Sequence, residues 1–298
     1  MSRTFCGRLD SDAVPPGSEA SYLHSRIDGA DSSTVLNVPA PGPGAIGPRR
    51  PVPALSNITA IRWDGYSIYN SLTLKVTQRI ARGLSFSANY SLSKAIDDAS
   101  DPGATSYETN LPQNVRDMAA ERALSSFDHR HRFVGNFTYA LPESSGAFHA
   151  LTSNWQISGI ATLQSGAPFT VNLGTDRANI GSGPAQRADV TCDPNDGGAR
   201  TPLQWFNTGC FALPVPFTFG NSGRNTVFAP GYADLDMTLQ KSAALSGGRQ
   251  IQFRWDVFNV LNRANFDVPN RTAFTPNFGR IFSALPPRQM QLGVKFLF

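Results

Sequence analysis

Charged residues are scarce in this chain, at 16% of its 298 residues, against about 25% in an average soluble domain. Only four lysines are present, so arginine carries most of the positive side of the net charge of +4. The densest basic patch is His129-Arg130-His131-Arg132, which is too short to form a nucleic-acid groove. We therefore expect no nucleic-acid partner.

Long apolar runs are also missing. No stretch of about 18 apolar residues occurs, which excludes a transmembrane helix. The membrane itself is not excluded, because a barrel strand needs only about 9–11 residues and only alternate ones must be apolar. The first ten residues lack the 7–15-residue apolar segment of a secretory signal peptide, and no such run precedes Cys6. This lack conflicts with an outer-membrane destination.

Cysteine is limited to three residues, Cys6, Cys192 and Cys210. The last two lie 18 residues apart in a segment rich in Gly, Pro and Asn, and in an oxidising compartment they could form a disulfide that closes a long loop. Two free thiols are the alternative, and the sequence leaves both open. No Cys/His spacing resembles a zinc site, and we expect neither a metal nor a cofactor.

Two-residue periodicity dominates the sequence from about residue 72 onward, as in strands with one apolar and one polar face. The clearest segment is Leu84–Leu92, where small polar residues alternate with apolar and aromatic ones. The apolar faces of the seven predicted strands are Leu72, Leu74 and Val76; Leu84, Phe86, Ala88, Tyr90 and Leu92; Phe133, Gly135, Phe137, Tyr139 and Leu141; Trp155, Ile157, Gly159, Ala161 and Leu163; Leu235, Met237 and Leu239; Ile251, Phe253, Trp255 and Val257; and Met290, Leu292, Val294, Phe296 and Phe298.

The connections between these strands alternate in length. Short ones fall at residues 81–83, 142–153 and 244–248, and long ones at 95–130, 167–231 and 262–287. Outer-membrane barrels have short periplasmic turns and long extracellular loops, whereas a soluble sandwich has no reason to sort its loops in this way. This pattern predicts an antiparallel transmembrane barrel whose last strand descends to the periplasm, with Phe298 in the interfacial aromatic girdle.

Seven strands is an odd number, whereas single-chain bacterial barrels have an even number. An eighth, weaker candidate lies at residues 19–25 around Tyr22, and it would make residues 27–65 another long outer loop. Residues 1–18 show no pattern and are expected to be an unstructured or non-native extension. We therefore divide the chain into residues 1–18 and a partial barrel of seven or eight strands at residues 19–298.

Several stretches, read together, resemble the C-terminal barrel of TonB-dependent outer-membrane transporters, specifically the Oar-like group with a carboxypeptidase-regulatory-like domain. Together they cover most of the chain from about residue 20. The stretches are PGPGAIGPRRP (41–51), GYSIYNSLTLKVTQR (65–79), GLSFSANYSLSKAIDD (83–98), SSFDHRHRFVGNFTYALP (125–142), NWQISGIATLQSGAPFTV (154–171), DVFNVLNRANF (256–266) and RQMQLGVKFLF (288–298).

The resemblance implies a 22-stranded barrel enclosing a plug, placed in the outer membrane and energised by the TonB system. This chain is then expected to be a C-terminal piece without plug or signal peptide, from a truncated gene product or a mis-assigned start. Its partners would be membrane lipid, the barrel-assembly machinery, an unknown extracellular ligand and, in a full-length parent, TonB. The strand ending in Phe296 and Phe298 would close the barrel and carry the assembly signal.

Candidate catalytic groups are few, and we predict no enzyme activity. Asp97-Asp98 could hold a cation but is better explained as a solvated acid pair. The run Asp128–His131 lacks a third partner for a metal or for acid–base chemistry and is interpreted as structural. Ser91-Leu-Ser-Lys94 matches a Ser–Lys nucleophile motif only formally, because strand residues three apart face opposite sides.

The long loop 167–231 is the best candidate for contact with an external ligand, since binding function concentrates in loops. The alternative is an ordered lid that only packs on the barrel mouth. The aromatic residues considered for this contact are Trp205, Phe206, Phe211, Phe217 and Phe219.

Two other functions fit the sequence. A small closed eight-stranded barrel could serve a structural or adhesion role through its outer loops. A soluble all-β binding domain, such as a lectin-like sandwich, also alternates apolar and polar residues, but the loop-length pattern and the terminal Phe298 argue against it.

Overall fold

The computed structural model describes residues 2–8, 17–81, 83–100, 103–109, 111–143 and 152–298. No helix in these ranges is long and apolar enough to cross a bilayer. Nine long strands form one sheet with a small added strand. The long strands are β1 (Ser2–Arg8), β2 (Ser18–Leu36), β3 (Ile58–Ala81), β4 (Leu84–Asp97), β5 (His131–Ala140), β6 (Trp155–Gln164), β7 (Tyr232–Ala244), β8 (Gln250–Phe258) and β9 (Gln289–Leu297).

The sheet is a simple up-and-down meander. Each long strand pairs antiparallel with the next one in sequence, from β1 to β9, and Ala123–Leu124 adds a short strand to β4. β1 and β9 are the two edges and do not pair with each other within the described residues. The sheet is therefore an open, partial barrel, which confirms the predicted fold class.

Connections alternate in length along this meander. The short ones, residues 82–83, 141–154 and 245–249, connect strand ends that lie at one end of the sheet, and residues 82 and 144–151 of them are outside the described ranges. Residues 37–57, 98–130, 165–231 and 259–288 lie at the other end, and we call these four segments the long loops. The alternation predicted from the sequence is confirmed. The long loop predicted at residues 27–65 is shorter, at residues 37–57, because the flanking strands extend to Leu36 and from Ile58.

The long loops contain only short elements. Helical turns lie at Ile46–Arg49, Met118–Glu121, Gly183–Ala185 and Thr208–Cys210, while Ser246–Gly248 lies in a short connection. The short strand pairs are Pro168–Phe169 with Val227–Phe228, Asp189–Val190 with Phe211–Ala212, and Asn172–Leu173 with Thr272–Ala273.

The sheet has nine long strands rather than seven or eight. The weak candidate at residues 19–25 is the start of β2, which runs on to Leu36 past a register shift near Ala30. Residues 2–8, where the sequence shows no pattern, form β1 by pairing with residues 21–27 of β2. Such edge pairing uses backbone groups, which explains why side-chain alternation does not reveal it. Residues 9–16 lie outside the described ranges.

The strand registers build one apolar and one polar face, as the alternation predicts. One apolar row crosses Leu84, Tyr139, Ile157, Leu239, Trp255 and Leu292. The adjacent polar row crosses Ser85, Thr138, Ser158, Thr238, Asp256 and Gln291. Large side chains on the apolar face stay exposed, among them Leu292 at 81%, which is the arrangement of a barrel whose outside meets lipid.

Two glycines on the apolar face are covered by aromatic rings. A Cβ atom at Gly135 would lie 3.1 Å from the Phe133 ring, and one at Gly159 only 2.7 Å from the Phe137 ring. Rings that fold over strand glycines restore the packing surface that a missing side chain leaves open. Any side chain at Gly159 would therefore displace the Phe137 ring.

Candidate functional site in the long loops

The hydrophobic core of the chain lies in the long loops rather than in the sheet. Phe206 is its centre, fully buried, with edge-on ring contacts to Phe169, Phe211 and Phe278 at centroid distances of 5.2–6.0 Å. The buried cluster comprises Phe169, Val171, Leu173, Ala188, Phe206, Cys210, Phe211, Val227, Ala229 and Ala273. Loops with a buried core of their own hold a fixed shape, which a binding surface requires.

Hydrogen bonds tie the long loops to one another. The Arg49 Nη1 atom donates to the Asn179 carbonyl at 3.1 Å, joining residues 37–57 to residues 165–231. Arg116 Nη2 donates to the Val38 carbonyl at 2.7 Å. The fourth loop joins through the parallel pairing of residues 272–273 with residues 172–173. The four loops thus form one cap over one end of the sheet.

Arg224 is the most fully bonded buried charge in this cap. It forms ion pairs with Glu108, at 2.7 Å, and with Asp97. Its remaining donors reach the Asp97 and Glu121 carbonyls and the Ser100 hydroxyl. All five N–H groups of the guanidinium therefore have an acceptor. Burial lowers the pKa of Arg224, but the Glu108 and Asp97 carboxylates outweigh it and the net shift is upward.

A second buried pair stands beside the first. Arg187 donates from both Nη atoms to the two carboxylate oxygens of Glu121, at 2.6 and 3.1 Å. Gln113 completes this pair, since its amide oxygen accepts from the Arg187 backbone N–H and its own backbone N–H donates to Glu121. Both ion pairs connect residues 98–130 to residues 165–231, so charges buried in the cap fix the relative position of two loops.

Cys192 and Cys210 form a disulfide in the structure, the first of the two states that the sequence leaves open. It closes the segment that contains the helical turn Thr208–Cys210. Phe296 and Phe298, the predicted closing residues, lie at the end of the edge strand β9 with ring centroids 6.1 Å apart.

The aromatic residues of the longest loop take different positions. Phe206 and Phe211 lie in the core, and the indole of Trp205 donates to the Phe228 carbonyl at 2.8 Å. Phe219 is half-buried, while Phe217 is 42% exposed. The loop is thus an ordered cap, and Phe217 is the more exposed of its two exposed phenylalanines, the other being Phe228 at 37%.

Asp97 and Asp98 are not the solvated pair that the sequence favours. Asp97 is only 1% exposed and paired with Arg224, because β4 carries it under the cap. Asp98 accepts a hydrogen bond from the Tyr66 backbone N–H at 2.8 Å, and burial raises the pKa of its carboxyl group. Asp97 is therefore occupied by Arg224, and Asp98 is held by the backbone of β3.

The run Asp128–His131 makes contacts that support the strands around it. Asp128 accepts from the Ala95 backbone N–H at 2.6 Å. His129 donates from Nδ1 to the Ser165 carbonyl at 2.8 Å, and His131 stacks on Tyr90. These contacts fix the start of β5 against its neighbouring strands.

We predict that Asp128→Asn flattens the pH dependence of cap stability. Burial raises the pKa of the Asp128 carboxyl group, so its charge costs the folded state free energy. The stability contributed by the protonated form is complete below the unfolded pKa of about 4 and is lost as the pH rises through the higher folded pKa. Asparagine keeps an acceptor for Ala95 N–H and removes this loss.

Protease resistance of the cap at pH 4 and pH 7 measures this effect. The wild-type protein should lose more resistance between the two values than Asp128→Asn, whereas a substitution at the exposed Asp196 should leave the wild-type slope. Equal slopes for wild type and Asp128→Asn would contradict the prediction.

No cluster of three or more metal-ligating side chains occurs in the described ranges. The formal Ser–Lys motif does not assemble either, because Ser91 pairs with Thr73 while Lys94 pairs with Asn70, three register positions away. Sequence reasoning missed the buried charges Glu108, Glu121, Arg187 and Arg224. They are single residues in irregular loops, and no local pattern distinguishes them from solvated charges.

Comparisons with known proteins agree with this fold. The family model described as outer membrane beta barrel domain matches residues 17–291. The outer membrane transporter YddB from Escherichia coli has a similar structure, with a TM-score of 0.53 and 11% identity over 98% of this chain and 32% of that one. BauA, the ferric preacinetobactin receptor from Acinetobacter baumannii, gives a TM-score of 0.44 and 11% identity over 99% and 33% of the two chains. No curated protein matches the sequence.

The two solved proteins are much longer than this chain, which spans about a third of their length. At 11% identity, the likeness to YddB concerns the fold alone. The family is assigned from the match of the family model, which covers residues 17–291. The chain therefore belongs to the outer membrane beta barrel domain family, and its location is the outer membrane.

Proposed function

We propose that the chain is the C-terminal barrel part of a TonB-dependent transporter. It supplies a section of the barrel wall and the cap of long loops, and it performs no chemistry itself. Substrate passes through the lumen of the whole barrel, energised from the inner membrane. The open sheet is the observation that carries this proposal, since it resembles YddB over 98% of this chain but only 32% of that transporter.

The two open edges favour a parent barrel that contains further strands beside β1 and β9. On one side, the backbone N–H and C=O groups of β1 and of β9 have no strand partner among the residues that the structure describes. In hydrocarbon each such group costs several kcal/mol, so a sheet with two free edges is not stable there. Nine long strands is also an odd number, whereas single-chain bacterial barrels contain an even number. Additional strands that pair with both edges satisfy the backbone groups of β1 and β9 and allow an even total number of strands.

Finer assignments rest on sequence motifs. The stretches from GYSIYNSLTLKVTQR to RQMQLGVKFLF favour the Oar-like group of these transporters. β9 with Phe296 and Phe298 acts as the closing strand and as the signal for the barrel-assembly machinery. Phe298 is 99% exposed, so its ring is free for such recognition.

A small stand-alone barrel with a structural or adhesion role is the second candidate. The cap favours it, because four loops joined by hydrogen bonds and buried ion pairs form a rigid external surface. Such a barrel requires β1 and β9 to pair, which they do not in this structure. The soluble all-β alternative is set aside by membership of the outer-membrane family.

Immunoblotting of outer membranes from the native bacterium tests the proposal. An antibody against the exposed loop around residues 198–204 should detect a polypeptide roughly three times the size of this 32.1 kDa chain. Cross-linking in intact cells should join that polypeptide to TonB. A single band at 32.1 kDa whose mobility shifts on heating would instead support the stand-alone barrel.

A further inference from the structure

A cavity of about 790 Å³ opens among three segments of the cap, at residues 173–179, 213–217 and 273–275. Its volume lies within the roughly 300–1,000 Å³ of small-molecule sites. None of the buried ion pairs described above lines it. The side chains that face it include Arg177, Phe217 and Phe274.

The parallel strand pair brings two of these segments together. Asn172–Leu173 runs parallel to Thr272–Ala273, so the residues that follow each strand leave at the same end. Residues 174–177 and 274–275 therefore line the same cavity, although they lie about 100 positions apart in the sequence. Leu173 and Ala273 belong to the buried cluster, which gives the cavity a rigid floor.

Two hydrogen bonds fix Arg177 against the third segment. The Phe217 backbone N–H donates to the Arg177 carbonyl at 2.9 Å. In return, Arg177 Nε donates to the Pro214 carbonyl at 2.7 Å. The two Nη atoms of Arg177 have no hydrogen-bond partner within the described ranges, so a positioned guanidinium presents free donors.

Asp176 does not neutralise this cation. Its carboxylate accepts from the Ile180 backbone N–H at 3.0 Å, and also from the Gly181 N–H and the Gln186 side chain. No ion pair joins it to Arg177 within the described part of the cap. The positive charge of Arg177 is therefore available to a ligand.

Phe217 and Phe274 both adopt left-handed backbone conformations, with φ of +64° and +61°. Such angles are unfavourable for a bulky side chain. Both rings nevertheless stay exposed, at 42% and 48%, although the core lies close by. Residues that are held in costly conformations and remain exposed cluster at ligand-binding positions.

We propose that this cavity binds a carboxylate carried on a ring that has an apolar face. A guanidinium with two free Nη donors matches a carboxylate in a bidentate arrangement. The two Phe rings pack on the apolar face of the ligand ring. An aromatic acid and an acidic sugar share this chemistry. The proposal names a ligand class for the cap of the transporter proposed above.

Calorimetric titration of the detergent-extracted protein tests the charge requirement. The probes are benzoate against benzyl alcohol, and glucuronate against glucose. One carboxylate should bind at least about 10-fold more tightly than its neutral counterpart, and the one that binds identifies the kind of ring. Arg177→Gln should remove that preference, whereas Arg200→Gln, in an exposed arginine outside the cavity, should not. Failure of both carboxylates to bind, or unchanged binding by Arg177→Gln, would overturn the proposal.

Phe217→Gly separates a binding role from a structural one. Glycine accepts the left-handed conformation without strain, so the melting temperature should not fall while affinity for the carboxylate drops. Phe282→Ala, at an exposed aromatic outside the cavity, should change neither property. A lower melting temperature with unchanged affinity would show that the ring only supports the fold.

These measurements are made on purified protein and require no transport. Failure of binding therefore leaves the barrel proposal standing. Equally, a single 32.1 kDa band in native membranes would leave the binding result valid.

Discussion

Arg224→Met should release the long loops from one another while the barrel sheet stays folded. The substitution leaves Asp97 and Glu108 buried without their cation, at 1% and 2% exposure. Removing one partner of a buried ion pair costs about 3–5 kcal/mol. Protease cleavage through loop opening should then accelerate roughly 10²- to 4 × 10³-fold, since each 1.4 kcal/mol is a factor of ten. Hydrogen exchange of residues 98–130 and 165–231 should rise with it.

A matched control uses an exposed pair. Arg62 pairs with Asp64 on β3, and about half of each side chain is accessible. Arg62→Gln should cost no more than about 1 kcal/mol, because exposed pairs contribute little. If both variants show the same protease resistance, the buried network does not hold the cap, and the aromatic core alone does. A loss of heat-modifiable mobility in Arg224→Met would show instead that the network supports the whole barrel.

Leu239→Arg should destabilise the barrel in lipid, whereas Thr238→Arg should be tolerated. Leu239 lies near the middle of β7 on the apolar face, between Ile157 and Trp255. An arginine facing the bilayer midplane costs about 2–4 kcal/mol. Thr238 is the adjacent residue on the polar face, where its hydroxyl donates to Asp256 at 2.6 Å and Asp256 also pairs with Arg254. An arginine at position 238 loses that one hydrogen bond but points to the polar side of the sheet, where its charge is not placed in lipid.

Urea unfolding from lipid vesicles measures the difference, because the two variants carry the same charge at nearly the same depth. The Leu239 variant should unfold at a clearly lower urea concentration, and the Thr238 variant close to the wild-type value. Equal destabilisation would show that the apolar face does not contact lipid. The two faces of the sheet would then need to be reassigned.

Side-chain alternation predicted the sheet from β3 onward because a barrel strand must present lipid to one side and water to the other. Leu84–Leu92 shows this most clearly, and the structure extends that strand only to Asp97. Side-chain alternation could not predict β1 or the second half of β2. Residues 2–8 contribute backbone pairing at an edge, and Ser32, Ser33 and Thr34 in β2 are buried under the loops although they are polar.

The sequence by itself determined the class of fold, the order of the strands, the alternation of short and long connections, and the membrane setting. These properties depend on local periodicity and on the positions where it is interrupted, and both can be identified from the amino-acid sequence. Only the tertiary structure decided what the long loops do. Arg224 meets Glu108 across 116 positions, and Leu173 meets Ala273 across about 100. Contacts at such separations arise when nine strands bring the loops to one end of the sheet, and no local pattern encodes them.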